Sequence, residues 1–186
     1  LISLKKNQRF IIFGKEIDGW SFEYLERFDI NEKKKLNLLT GCVTILDLKF
    51  NEISLKSQKS SCEDAFNIIR GSGEIKKIDI ENTLADGLDA DFSSININNV
   101  VIKNTSNDCL DFSYGSYKII NAELNNCGDK GISLGEKSYL NLKKILIDNS
   151  NIALAVKDSS FGNVEYFSAN KIKNCISVYN KKQENM

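Results

Sequence analysis

Ala65-Phe66-Asn67-Ile68, Gly87-Leu88-Asp89-Ala90, Cys109-Leu110-Asp111-Phe112, Gly131-Ile132-Ser133-Leu134, Ala153-Leu154-Ala155-Val156 and Cys175-Ile176-Ser177-Val178 are one short phrase written six times. From residue 65 to 87, 109 and onward the interval is 22 residues, without a slip. Each phrase sets a small or bulky residue before an alternation of apolar and polar side chains, and a period of two belongs to strands. A fixed interval of this length is the mark of a solenoid, in which each turn buries its apolar face only by stacking on its neighbours. Helical solenoids need longer repeats that hold two helices. The expected fold is therefore all-β, a right-handed parallel β-helix with coils of about 22 residues.

A second strand of each coil is also legible. Ile75-x-x-Ile78-x-Ile80-x-Asn82 returns as Ile97-x-x-Val100-x-Ile102-x-Asn104 and Ile119-x-x-Ala122-x-Leu124-x-Asn126. After one inserted residue it returns again as Leu142-x-x-Ile145-x-Ile147-x-Asn149. The aliphatic positions point inward and stack on their equivalents, as a parallel sheet requires. Asn82, Asn104, Asn126 and Asn149 close that strand at one place, where asparagine tolerates the left-handed conformation of a sharp corner. Stacked amides can also bond to one another, so a structural asparagine ladder is expected there.

Residues 61–180 are read as the regular coils and 1–60 as less regular ones, with Arg9 to Phe13 strand-like, Asn31 to Lys35 a charged connector and Ser57 to Ser61 a polar loop. Residues 181–186 read as a frayed tail. The whole is one domain, expected to be the C-terminal part of a longer chain. Proline is absent, which suits stacked strands that use every backbone N–H.

Lysine plus arginine number 25 and aspartate plus glutamate 25, so no overall field draws nucleic acid or membrane. No stretch of about 18 apolar residues could span a bilayer. Five cysteines (Cys42, Cys62, Cys109, Cys127, Cys175) contain no C-x-x-C pair, and histidine is missing, which removes the common zinc patterns. Cys109 and Cys175 share the small-residue position of Gly87 and Ala153, so they read as packing. Cys42 and Cys62 lie close to one coil apart, within reach of a disulfide.

The alternation also says what faces outward. With Leu88, Ala90, Leu110 and Phe112 inward, Asp89, Asp91, Asp111 and Ser113 face out, and Asp64, Asp86 and Asp108 share a position just before the strand. Asp129, Lys130, Ser133, Glu136 and Lys157 extend the same side. Carboxylates about 5 Å apart repel by roughly 0.8 kcal/mol in water and roughly 3 kcal/mol at an effective dielectric of 20, so something must offset them. A shared proton, a lysine, a cation or corner N–H groups would serve. Calcium at the aspartate cluster is one candidate, because it favours oxygen ligands. Aspartate at a corner is an ordinary cap of backbone N–H groups; mid-strand aspartate is disfavoured. Tyr114, Tyr117 and Tyr179 are the aromatic side chains that could meet a sugar.

Ala85-Asp86-Gly87-Leu88-Asp89, Asn107-Asp108-Cys109, Asp129-Lys130-Gly131 and Val156-Lys157 resemble the motifs that polygalacturonases, pectin-hydrolysing β-helix enzymes, carry on successive coils. The resemblance implies Asp108 as general acid and Asp86 as a carboxylate that activates water, an inverting pair. Asn107 stands where that family has aspartate, Lys130 where it has histidine, and the arginine before the final lysine is missing. Over most of its length the chain is also similar to β-helix regions of uncharacterised bacterial surface proteins, in phrases such as Gly128-Asp129-Lys130-Gly131-Ile132-Ser133-Leu134-Gly135-Glu136. That resemblance implies an extracytoplasmic, cell-surface module within a larger protein. Both solenoid ends need covering to avoid edge pairing, so the rest of the polypeptide or a partner chain is expected there.

Three functional readings follow. One is a carbohydrate-associated module, with polysaccharide or cell-surface glycan held by Asp89, Asp91, Asp111, Lys130, Glu136 and Lys157. The second is a non-catalytic spacer, adhesin or spike segment. The third is an inverting hydrolase using Asp86 and Asp108. Geometry discriminates: carboxyls about 6.5–9.5 Å apart in an open groove suit hydrolysis, whereas carboxyls that cap corner amides do not.

Overall fold

A computed structural model describes residues 9–25 and 39–181, which leaves the connector expected at Asn31 to Lys35 and all but the first residue of the tail outside the described residues. The described residues contain no helix. Thirteen strands follow one another: β1 (Phe10–Phe13), β2 (Glu16–Asp18), β3 (Ser21–Leu25), β4 (Gly41–Leu46), β5 (Lys49–Lys59), β6 (Asp64–Ile69), β7 (Ser72–Thr83), β8 (Asp86–Asp91), β9 (Ser94–Thr105), β10 (Leu110–Ser113), β11 (Ser116–Gly135), β12 (Tyr139–Lys157) and β13 (Phe161–Tyr179). All named pairings are parallel, and they wind into a β-solenoid of about six turns.

The stacking is in register. Phe66 pairs with Leu88, Leu88 with Leu110, Leu110 with Ile132, Ile132 with Leu154 and Leu154 with Ile176. Ile75, Ile97, Ile119, Leu142 and Val164 form a second column on the adjoining side. These columns meet in one core, where Phe66, Leu88, Leu110, Ile75, Ile97 and Ile119 are fully buried. The small residues that open each phrase have a steric cause. A Cβ on Gly131 would lie 1.9 Å from Ile147 Cδ1 and 2.7 Å from the Ala153 carbonyl, so at that position even a methyl group could be seated only if its neighbours moved.

Corners need the left-handed backbone, and the chain supplies it at regular places. Asn82, Asn104, Asn126 and Asn149 have φ of 56°, 57°, 55° and 60°. Their amides form the expected ladder: Asn104 Nδ2 donates to Asn82 Oδ1 (3.1 Å), Asn126 to Asn104 (2.8 Å) and Asn149 to Asn126 (2.7 Å). The opposite corner is less forgiving in composition, with Arg70, Phe92, Tyr114 and Glu136 at φ of 51°, 51°, 50° and 45°. The inserted residue is Lys137 at this corner, itself at positive φ.

Two expectations are corrected. Ser57 to Ser61 is not a loop: β5 runs through Lys49–Lys59, and Ser60 bridges to Thr83 in the next coil. Cys109 is not mere packing, because it forms a disulfide with Cys127, 18 residues on. The reason is the corner itself, which folds the end of one coil against its own start; the Thr105 hydroxyl lies 3.4 Å from Cys109 Sγ there. Cys42 and Cys62 form the second bridge, 20 residues apart. Each disulfide thus closes almost one full coil. Cys175 is free and exposed, since no described coil lies above it.

Replacing Cys109 and Cys127 together by alanine lowers stability by about 2–4 kcal/mol, the loop-closure contribution of a bridge this long. Guanidinium titration of the oxidised wild type and the double variant measures it, and coincident midpoints would contradict the pairing.

Candidate functional site

The outward side of β6, β8, β10 and the ends of β11 and β12 gathers most of the residues singled out above. Asn67, Asp89, Asp111 and Ser133 form one outward column through direct pairing. Asp91 and Ser113 begin a second, which continues through Gly135 to Lys157. Asp64 and Asp86 pair at the strand entrance, where Asp108 and Lys130 follow.

The entrance carboxylates have defined work. Asp86 Oδ1 accepts the backbone N–H of Asp108 (2.7 Å) and the Asn107 side-chain amide (2.7 Å). Asp108 Oδ1 in turn accepts the backbone N–H of Lys130 at 3.0 Å. Each aspartate therefore caps the coil above it, satisfying an amide that the sheet ladder leaves unpaired at the corner. This is the corner-capping outcome, and it gives Asn107 a purpose that an aspartate could not serve, since only the amide can donate to Asp86. Lys130 Nζ lies 3.3 Å and 3.5 Å from the two Asp108 oxygens and also binds Asp129.

Burial dominates the electrostatics. The Asp86 carboxyl is pushed up to about 7, mainly because it is buried, with the caps from Asp108 and Asn107 opposing the rise and Asp108 and Asp111 adding to it. Asp108 is raised to about 6 by burial, with Lys130 opposing. Asp64 and Asp89 are raised further, by burial first and then by neighbouring carboxylates, including each in the field of Asp86 and Asp111. Burial pulls Lys130 down, but Asp129 and Asp108 more than offset it and hold the lysine above its usual range. Near neutral pH Asp64 and Asp89 hold their protons, so at those two positions a carboxyl O–H donor takes the place of a fixed negative charge. Asn67 Nδ2 donates to Asp89 Oδ2 at 3.1 Å, and the mid-strand aspartate thereby joins a polar ladder.

At the far rim the contacts change. Lys157 is 5% exposed, and its ammonium donates to Ser133 Oγ at 2.5 Å. Ser113 Oγ donates to Glu136 Oε2 at 2.7 Å. Beyond them Phe92 and Tyr114 lie face to face, centroids 4.8 Å apart and 6° from parallel, with 56% and 44% of their surfaces exposed. Tyr117 takes no part. It is buried against Phe112, and its hydroxyl donates to the Ala90 carbonyl (2.7 Å). Sequence reasoning named Tyr114 but missed Phe92, although the 22-residue interval between them was the available signal.

Among the described residues no three carboxylate or thiol side chains converge in an arrangement that could hold a metal ion. The aspartates meet amides, lysine and each other instead. No described helix is long and apolar enough to cross a membrane. Comparison with family models, curated proteins and solved structures finds no match for this chain.

The raised carboxyls make stability pH-dependent with a definite sign. Folded Asp86 and Asp108 retain protons that the unfolded chain releases near 3.8, so their contribution is complete below that value and is lost as pH rises through about 6 and 7. Urea midpoints are expected to fall between about pH 5 and pH 8. Asp89→Asn, which keeps an acceptor for Asn67, should flatten that fall and stabilise the chain at pH 8. Midpoints that rise across this range would refute the protonated cluster.

Proposed function

We propose that the chain is an extracytoplasmic β-solenoid module that holds a hydroxyl-rich glycan on its outward polar face without cleaving it. The observation that carries this reading is the Phe92–Tyr114 pair, a solvent-facing aromatic shelf beside Asp91, Ser113, Glu136 and Lys157. A pyranose ring has one face of C–H groups that packs on an aromatic ring, while its hydroxyls need donors and acceptors alongside. The Ser113 hydroxyl and the carboxyl oxygens of Asp91 and Glu136 lie alongside the rings to meet those hydroxyls. Both aromatics occupy a left-handed corner where bulky side chains are rare, so the backbone there carries strain that asparagine or glycine would relieve.

Binding is favoured over hydrolysis because Asp86 and Asp108 are engaged as caps of successive corner amides. Two disulfides suit an oxidising compartment, which supports the extracytoplasmic placement. A plain spacer is the competing reading, supported by the continuous parallel stacking of the coils, and the same experiment separates the two.

The test is a neutral-glycan array followed by calorimetry on Phe92→Asn and Tyr114→Asn, substitutions that suit the corner backbone. Wild type is expected to bind at least one β-linked oligosaccharide, and each variant to weaken it by about tenfold (one 1.4 kcal/mol step) with thermal stability kept or raised. Binding that survives in the double variant would refute the shelf. An empty array would leave the spacer reading. Release of new reducing ends by wild type but not by Asp108→Asn would restore the hydrolase.

A further inference from the structure

The asparagine corner lies at the other end of the strands from the aromatic shelf, and it is concave. Asn104, Asn126 and Asn149 line a groove of about 540 Å³ together with Ser106, Gly128, Asn151, Lys171 and Lys173. Its lining contains no carboxylate and no large apolar side chain. Asn104 and Asn126 each spend one N–H and one lone pair on the stack, and Asn149 spends one N–H. A carboxamide has two of each to offer, so one donor and one acceptor per coil remain for whatever occupies the groove. These pairs recur at the coil spacing of about 4.8 Å.

The repeat breaks at the top of this groove. The column Asn82, Asn104, Asn126, Asn149 reaches the last coil as Lys171, which keeps the left-handed corner at φ 51°. The adjoining column of Ser106, Gly128 and Asn151 reaches Lys173 in the same coil. Lysine is a worse occupant of a left-handed corner than asparagine, and it cannot extend an amide ladder because it accepts nothing. Two neighbouring columns therefore exchange neutral residues for cations at one level. Lys171 Nζ lies 3.7 Å from Asp148 Oδ2, a loose and exposed pairing that leaves most of its charge in solvent. No ion pair engages Lys173 among the described residues.

We infer that this groove binds an oligosaccharide carrying anionic groups, with its hydroxyls along the Asn104–Asn126–Asn149 ladder and an anionic substituent between Lys171 and Lys173. The amide row supplies alternating donors and acceptors for a chain of hydroxyls, and the two ammonium groups select charge at one end. The aspartate side of the molecule offers no comparable pair of free cations, since Lys130 is held by Asp108 and Asp129 and Lys157 is buried against Ser133. This site is separate from the aromatic shelf and stands or falls without it.

The source of the anion is open to test, because a sulfate and a carboxylate present the same chemistry to two lysines. Calorimetry at low and moderate salt would compare a heparin-type sulfated hexasaccharide, a polyuronate hexamer and neutral cellohexaose. At least one acidic probe is expected to bind, more weakly as salt rises, and cellohexaose to bind less tightly than that probe. Lys171→Ala/Lys173→Ala should weaken the acidic probe by about tenfold or more, as expected for the loss of two charged contacts. Asn151→Ala, an exposed change outside the ladder, should cost several-fold with the fold intact by circular dichroism. Phe92→Asn/Tyr114→Asn should leave this binding unchanged, which separates it from the shelf. Equal affinity of the double lysine variant, equal affinity for neutral and acidic probes, or no binding by either acidic probe would overturn the inference.

Discussion

In-register parallel stacking is the constraint on which everything else rests. Once Leu88 lies over Phe66 and under Leu110, every other residue of the coil is committed to lie over its own counterpart. For apolar residues this is favourable without further arrangement, because a column of leucine and isoleucine loses its water as a unit. For asparagine it is favourable as well, since an amide can donate upward and accept from below. For aspartate it is a difficulty, because like charges are brought to about the strand spacing.

The molecule meets that difficulty with hydrogen bonds and protons. Asp86 and Asp108 are turned toward backbone amides of the next coil, which converts a repulsive column into a row of caps. Asp64 and Asp89, surrounded by other carboxyls, are raised furthest and retain their protons. Lys130 closes the row by pairing with Asp108 and Asp129. What looks like a row of repelling charges in one dimension is a hydrogen-bonded surface in three. That change is what supports the proposal of a hydroxyl-rich ligand on this face.

The two proposed ligand sites share a logic. Both lie at corners, where side chains leave the stack at an angle, and both occur where the residue type departs from what the corner backbone prefers. Phe92 and Tyr114 fill positions suited to asparagine or glycine, and Lys171 interrupts a row of asparagines. A corner residue that relaxes the backbone needs no further explanation; one that strains it does. The disulfides lie beside the asparagine corner too, and tie the end of a coil to its beginning at Cys42–Cys62 and Cys109–Cys127.

By itself the sequence determined the winding. A 22-residue interval with alternating polarity has one physical solution, so the columns through Leu88, Leu110 and Ile132 and the ladder through Asn104 and Asn126 were legible before any coordinate. So was the membership of the outward face, because strand alternation assigns Asp89 and Asp111 to it. Only the tertiary structure decided what those residues do there. Whether Asp108 faces a groove or an amide depends on corner torsions that no periodicity encodes, and the carboxyl proton depends on burial by side chains from other coils. Cys127 and Cys109 come together for the same reason: a corner brings residues of different columns into contact, and contact between columns is invisible to a pattern that compares only like with like.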